Sequence, residues 1–274
     1  FQPQTVNVPG FIIDFIRWTI LIISTLLVLG RVLIIRRSGN DNPPRTSQLS
    51  RADMWIVFGW ISFWFFVGGF AFALIDQYAS SFIPSVLLHI LAALRPVWLQ
   101  ITAIIVILIY FRGQLHVIGL GKVKKWRRLV FTVIGSSVLL LAIGEVALWI
   151  NTLAHIATQS YRENTISNAF VSAKHIGYGA LALQMTITSV IAPIGEELIF
   201  RGVLQTYLQK RWPRGVGIAF SALCFALFHA DIDLALPLFL VGVVLGFTYL
   251  WSGRLYSSMA VHIVNNAIAS IASL

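Results

Sequence analysis

Charge is what this chain has least of. Asp, Glu, Lys and Arg together make up only 11% of its 274 residues, against 58% hydrophobic ones. A soluble domain of that length carries about a quarter charged residues, so the shortage excludes an ordinary soluble fold. Acidic residues are the scarcer half, ten against twenty basic ones, for a net charge of +10. In a soluble domain such an excess would point to nucleic acid. In a chain this apolar it reads as loop charge that orients membrane helices, and no nucleic-acid partner is expected. The single cysteine, Cys224, rules out an intrachain disulfide and implies no compartment. No internal repeat is detectable, which weighs against the paired halves of many transporters. The zinc-peptidase run His-Glu-x-x-His, the serine signature Gly-x-Ser-x-Gly and the aspartyl signature Gly-x-Gly-Asp are all missing.

What is present is a series of apolar runs near the length of about 20 residues needed to cross a bilayer. Spans are expected at Phe11–Ile35, Met54–Ile75, Val97–Phe111 (after a short interfacial piece at Ile83–Leu94), Leu129–Ile150, Ile176–Lys210, Val216–His229, Leu234–Trp251 and Leu255–Ala272. Pro193 should kink the long fifth span, whose end, with Gln205, Gln209 and Lys210, reads as interfacial. Gly242-x-x-x-Gly246 marks a close-packing face on the seventh. Residues 152–177 read as a polar connection, dividing the chain into N-terminal helices with a basic membrane-surface segment (1–160) and a core (161–274). The expected fold class is therefore all-α: a polytopic membrane bundle of about eight helices around a polar intramembrane cavity.

Loop charge agrees with that count. The loops after the odd-numbered spans carry fourteen Lys and Arg, six of them within Arg112–Arg128, and the opposite loops carry three: Arg95, Arg162 and Lys174. The asymmetry predicts an integral membrane protein with both termini non-cytoplasmic. Short loops lean towards a prokaryotic plasma membrane. The basic segment Arg112–Arg128 is suited to the membrane surface and its anionic lipids, with orientation of the chain as its simplest role.

Three polar stretches interrupt the apolar helices of the second half. The first is Glu196-Glu197-Leu198-Ile199-Phe200-Arg201, the second Phe225 to His229, the third His262 to Asn266. Each ionised side chain in hydrocarbon costs at least a few kcal/mol, so three stretches of this kind are expected to meet in one site. Glu197 and Arg201, four apart, can pair on one helix face. Glu196 lies about 100° round the helix, without that partner, and is the candidate general base towards water. His229 and His262 can position a water or donate to an oxyanion. His262 and Asn266 share a face and could aim two N–H groups at one point. Taken singly, each feature has a structural reading: an ion pair, a helix-end histidine, an amide between helices. The remaining histidines, His89, His116, His155 and His175, have no carboxylate at helical spacing. Glu145, mid-span, is expected to pair with a neighbouring helix.

Together the stretches Glu196-Glu197-x-x-x-Arg201, Phe225-x-x-x-His229 and His262-x-x-x-Asn266 resemble the three-motif signature of the CAAX-protease and bacteriocin-processing (Abi, CPBP) family of intramembrane endopeptidases. The resemblance covers roughly residues 165–274. It implies a glutamate-dependent peptidase in which Glu196 and His229 activate water and His262 and Asn266 stabilise the tetrahedral oxyanion. Glu197, Arg201 and Phe225 would support the site. It also implies a membrane-anchored or prenylated protein or peptide as substrate. Members have been called metallopeptidases, and Glu196, His229 and His262 could bind zinc. The same residues suffice without metal, which is the reading preferred here. Two other classes remain open: a non-enzymatic immunity or partner-binding scaffold, and a transporter using Glu145, Glu196 and Glu197 as proton sites.

Overall fold

A computed structural model describes residues 49–79, 82–123, 125–153, 161–231 and 233–273. All regular structure among them is helical. The expected first span, Phe11–Ile35, lies outside the described residues. The chain forms two compact units, Phe1–Ile83 and Pro84–Leu274.

In the first unit, α1 runs from Arg51 to Leu74 and continues as a π-helical turn through Ala79. Its start is a reciprocal cap. The Ser50 hydroxyl accepts from the Asp53 amide at 3.1 Å, and the Asp53 carboxylate accepts from the Ser50 amide at 2.8 Å. Two of the otherwise orphaned N-terminal donors are satisfied this way.

The second unit holds α2 (Ser85–Tyr110), α3 (Trp126–Leu153), α4 (Tyr161–Ile176), α5 (Tyr178–Leu208), α6 (Arg214–Phe228), α7 (Ala235–Ser252) and α8 (Leu255–Ala272). Two expectations are corrected. Arg95-Pro96 does not separate an interfacial piece from a span: a single 3-10 turn at Arg95–Val97 carries the helix through. Proline needs no N–H where the ladder changes register. The supposed polar connection at 152–177 contains the 16-residue helix α4; polar composition argues against burial, not against helix.

Five described helices, α1, α2, α3, α5 and α7, are long and apolar enough to cross a membrane. The chain is a helical membrane protein. With 15 residues, α6 extends about 22 Å, short of a hydrocarbon core of about 30 Å. Ser257, Ser258, His262, Asn265 and Asn266 lower the hydropathy of α8 below that of the five.

Packing follows from small residues. A Cβ on Gly242 would lie 2.9 Å from both Cα and Cβ of Ala222, and one on Gly246 would lie 2.8 Å from a methyl of Ile218. The glycine face of α7 therefore seats α6 at backbone distance, as its spacing predicts. On another side α3 packs against α7 and α8, with Leu140, Val244, Leu245 and Val261 buried together.

Candidate active site

Everything at the site hangs on α5. This helix departs from regular α geometry twice, at Ile187–Ile191 and Leu198–Gln205, where it widens into π turns on either side of Pro193. The first π turn ends two residues before Pro193. The second contains Arg201. Such bulges redirect side chains that a regular helix would aim elsewhere.

Glu197 and Arg201 are both fully buried. Arg201 Nη1 donates to Glu197 Oε1 at 2.8 Å, and Nη2 donates to the Gly242 carbonyl at 3.0 Å. The guanidinium also stacks over Phe225, its Cζ 4.6 Å from the ring centroid. One turn on, Gln205 Nε2 donates to the Gly246 carbonyl at 2.9 Å. Residues 201 and 205 of α5 thus read residues 242 and 246 of α7, four apart on each helix. Bare glycines leave those carbonyls open to long side chains. Gln205 is accordingly buried at 0% exposure, which corrects its reading as an interfacial residue.

The third stretch arrives from α8. His262 Nδ1 lies 3.0 Å from the same Glu197 Oε1 that Arg201 holds. Facing a carboxylate, that nitrogen is the donor. The other ring nitrogen, Nε2, points towards Glu196 and stands 3.7 Å from its Oε2. One imidazole therefore sits between the two adjacent glutamates, each with a different role. Glu197 Oε1 is shared by Arg201 and His262. Glu196, 4% exposed, keeps the oxygen near Nε2 free of a close bond.

Glu196 also has a partner that sequence reading missed. Gln100 on α2 donates from Nε2 to Glu196 Oε1 at 3.1 Å. The contact depends on Gly195: a Cβ there would come within 2.5 Å of Gln100 Cβ and 2.7 Å of its backbone. Gln100 is itself buried, and its Oε1 has no hydrogen-bond partner among the described residues. The available signal was an amide within an apolar run, Trp98-Leu99-Gln100-Ile101, where an unpaired polar group is costly.

Phe225 joins the second stretch to the other two. Its ring is 5.8 Å from His262 and 4.8 Å from His229, centroid to centroid. His229 closes the end of α6, with Nδ1 2.8 Å from the Phe225 carbonyl. A carbonyl only accepts, so Nδ1 carries the proton and a neutral His229 has its lone pair on Nε2. Asn266, half-buried one turn beyond His262, donates from Nδ2 to the Thr188 carbonyl at 3.2 Å. Thr188 lies in the first π turn of α5. The second N–H of the Asn266 amide is left for another acceptor.

Glu145 is not part of this cluster. It lies exposed on α3, and no ion pair to it is found among the described residues, contrary to the expected pairing with a neighbouring helix. Among the described residues no group of three or more His, Cys, Asp or Glu side chains stands close enough to hold a metal ion.

A helical membrane protein in which one imidazole bonds one buried glutamate and faces a second defines a class of candidate hydrolases. Residues 178–268 match the family model for Rce1-like, type II CAAX prenyl endopeptidase Rce1-like. Over that segment, a third of the chain, the match supports the resemblance to the CAAX-protease family whose motifs it displays. All three motifs fall inside the match, and Gln100 falls outside it. No curated protein and no solved structure matches the chain.

Proposed function

We propose that the protein is an intramembrane endopeptidase that hydrolyses a peptide bond in a membrane-associated protein or peptide with a glutamate-activated water. The observation that carries this reading is the division of labour between Glu196 and Glu197 around His262: one carboxylate is committed to Arg201 and Nδ1, while the other accepts from the Gln100 amide and faces Nε2 at 3.7 Å.

Glu196 Oε2 takes a proton from water as the water oxygen bonds to the carbonyl carbon of the scissile peptide. His229, through Nε2, helps to orient that water. Negative charge moves to the carbonyl oxygen, where the free N–H of Asn266 and the Nε2–H of a doubly protonated His262 donate to it. Preorganised donors of this kind are each worth about 10²–10³ in rate. Glu196 then passes its proton to the amide nitrogen as the C–N bond breaks. The oxyanion collapses to a carbonyl in that step, so the products are a carboxylic acid and a neutral amine, Glu196 is again a carboxylate, and the acid then loses its proton to solvent. Arg201, Glu197 and Phe225 hold the imidazole, and Gln100 holds Glu196. No step requires a metal.

The test is cleavage of labelled peptides, prenylated and unmodified, by wild type and Glu196→Gln in detergent, with and without a strong chelator. Cleavage by wild type alone, unaffected by chelator, is expected. Loss of activity on chelation, reversed by added zinc, would overturn the metal-free route. Equal inactivity of two folded proteins across the panel would favour a binding scaffold.

A further inference from the structure

A second feature lies away from the glutamates, where the start of α3 meets the turn between α7 and α8. A cavity of about 160 Å³ opens there, lined by Val123, Lys125, Arg128, Leu129, Ser252 and Arg254. Three of the six residues are cations. The stretches that build it contain no acid at all: residues 77–144 and 234–274 lack Asp and Glu. Like charges gathered in one concavity repel unless an anion joins them.

Two of the cations, Arg128 and Arg254, are held against neighbouring backbone. Arg128 Nη2 donates to the Trp251 carbonyl at 2.8 Å, which leaves the rest of its fork for a ligand. The Arg254 guanidinium lies over Gly121, where a Cβ would come 2.9 Å from its Nη1. The two walls are tied together, with the Leu255 amide donating to the Gly119 carbonyl at 3.1 Å.

We propose that this cavity is a binding site for a phosphate-bearing anion, presented as the headgroup of an anionic lipid. Two observations select a lipid. Trp126 and Trp251, 64% and 55% exposed, flank the cavity, and exposed tryptophans mark the headgroup level of a bilayer. Below them Phe131, Ile134 and Val138 form an exposed apolar stripe at helical spacing down α3, a track along which an acyl chain can lie while its phosphate occupies the cavity.

The experiment is native mass spectrometry of the full chain in detergent, titrated with phosphatidylglycerol, with phosphatidylcholine and with inorganic phosphate. One retained phosphatidylglycerol is expected, bound more tightly than phosphatidylcholine and weakened by salt. Each cation contributes about fivefold in affinity at a membrane surface. Lys125→Gln alone, a change at an exposed side chain, should therefore weaken binding about fivefold. The triple change Lys125→Gln/Arg128→Gln/Arg254→Gln should weaken it about a hundredfold. Removing the same charge elsewhere, in Lys210→Gln/Arg211→Gln/Arg214→Gln, should leave it unchanged. Equal loss in both triple variants, or phosphatidylglycerol bound by Lys125→Gln and the cavity triple as by wild type, would overturn the proposal. Inorganic phosphate binding as tightly as the lipid would assign the same cavity to soluble phosphate.

Discussion

Replacing Gln100 by Leu removes one hydrogen bond and little else. The two side chains are close in volume, and leucine suits the apolar run around position 100. What is lost is the 3.1 Å donation to Glu196 Oε1. A hydrogen bond to a charged group is worth about 1.5–3 kcal/mol. If Gln100 holds Glu196 in the geometry that accepts the water proton, that energy is lost in the transition state. The rate should then fall about 10- to 150-fold. Because Gln100 is assigned no contact with substrate, the loss should appear in kcat, with KM within about twofold. The assay is steady-state cleavage of the best labelled peptide by wild type, Gln100→Leu and Gln100→Asn, with thermal melting as the control for folding. Gln100→Asn keeps an amide on a shorter stem and should recover part of the rate where Gln100→Leu does not. A folded Gln100→Leu enzyme with kcat within twofold of wild type would refute the assignment, and with it the claim that α2 contributes to catalysis.

Gly195→Ala should be worse than its size suggests. The new methyl meets the Gln100 backbone at 2.7 Å, so α2 and α5 must separate; overpacking costs about 1–3 kcal/mol, read as a lower melting temperature, and displacement of Glu196 should cut kcat about a hundredfold. Arg201→Met leaves Glu197 as an uncompensated buried charge, which should destabilise the fold by about 3–5 kcal/mol in denaturation, whereas Glu196→Gln should abolish cleavage without such a loss. Gly242→Ala should push α6 from α7, since its Cβ would lie 2.9 Å from Ala222, and lower both stability and activity; unchanged melting would contradict the close approach.

The sequence by itself determined the membrane-helical class and the three polar stretches. Both follow from one local fact, that charge and amide are expensive in hydrocarbon, so isolated polar residues stand out in apolar runs. It also determined that Glu197 and Arg201 would pair and that Gly242 and Gly246 would pack closely, because both depend only on helical spacing. Tertiary structure decided the rest. Gln100 precedes Glu196 by 96 residues, and no periodicity links positions on different helices. His262 bridging two adjacent glutamates, and Arg201 and Gln205 reading the carbonyls of α7, depend on the π turns of α5 and on where α7 and α8 lie. Gln205 illustrates the reason. Its neighbours made it look interfacial, and only the glycine face opposite turned a polar side chain inward.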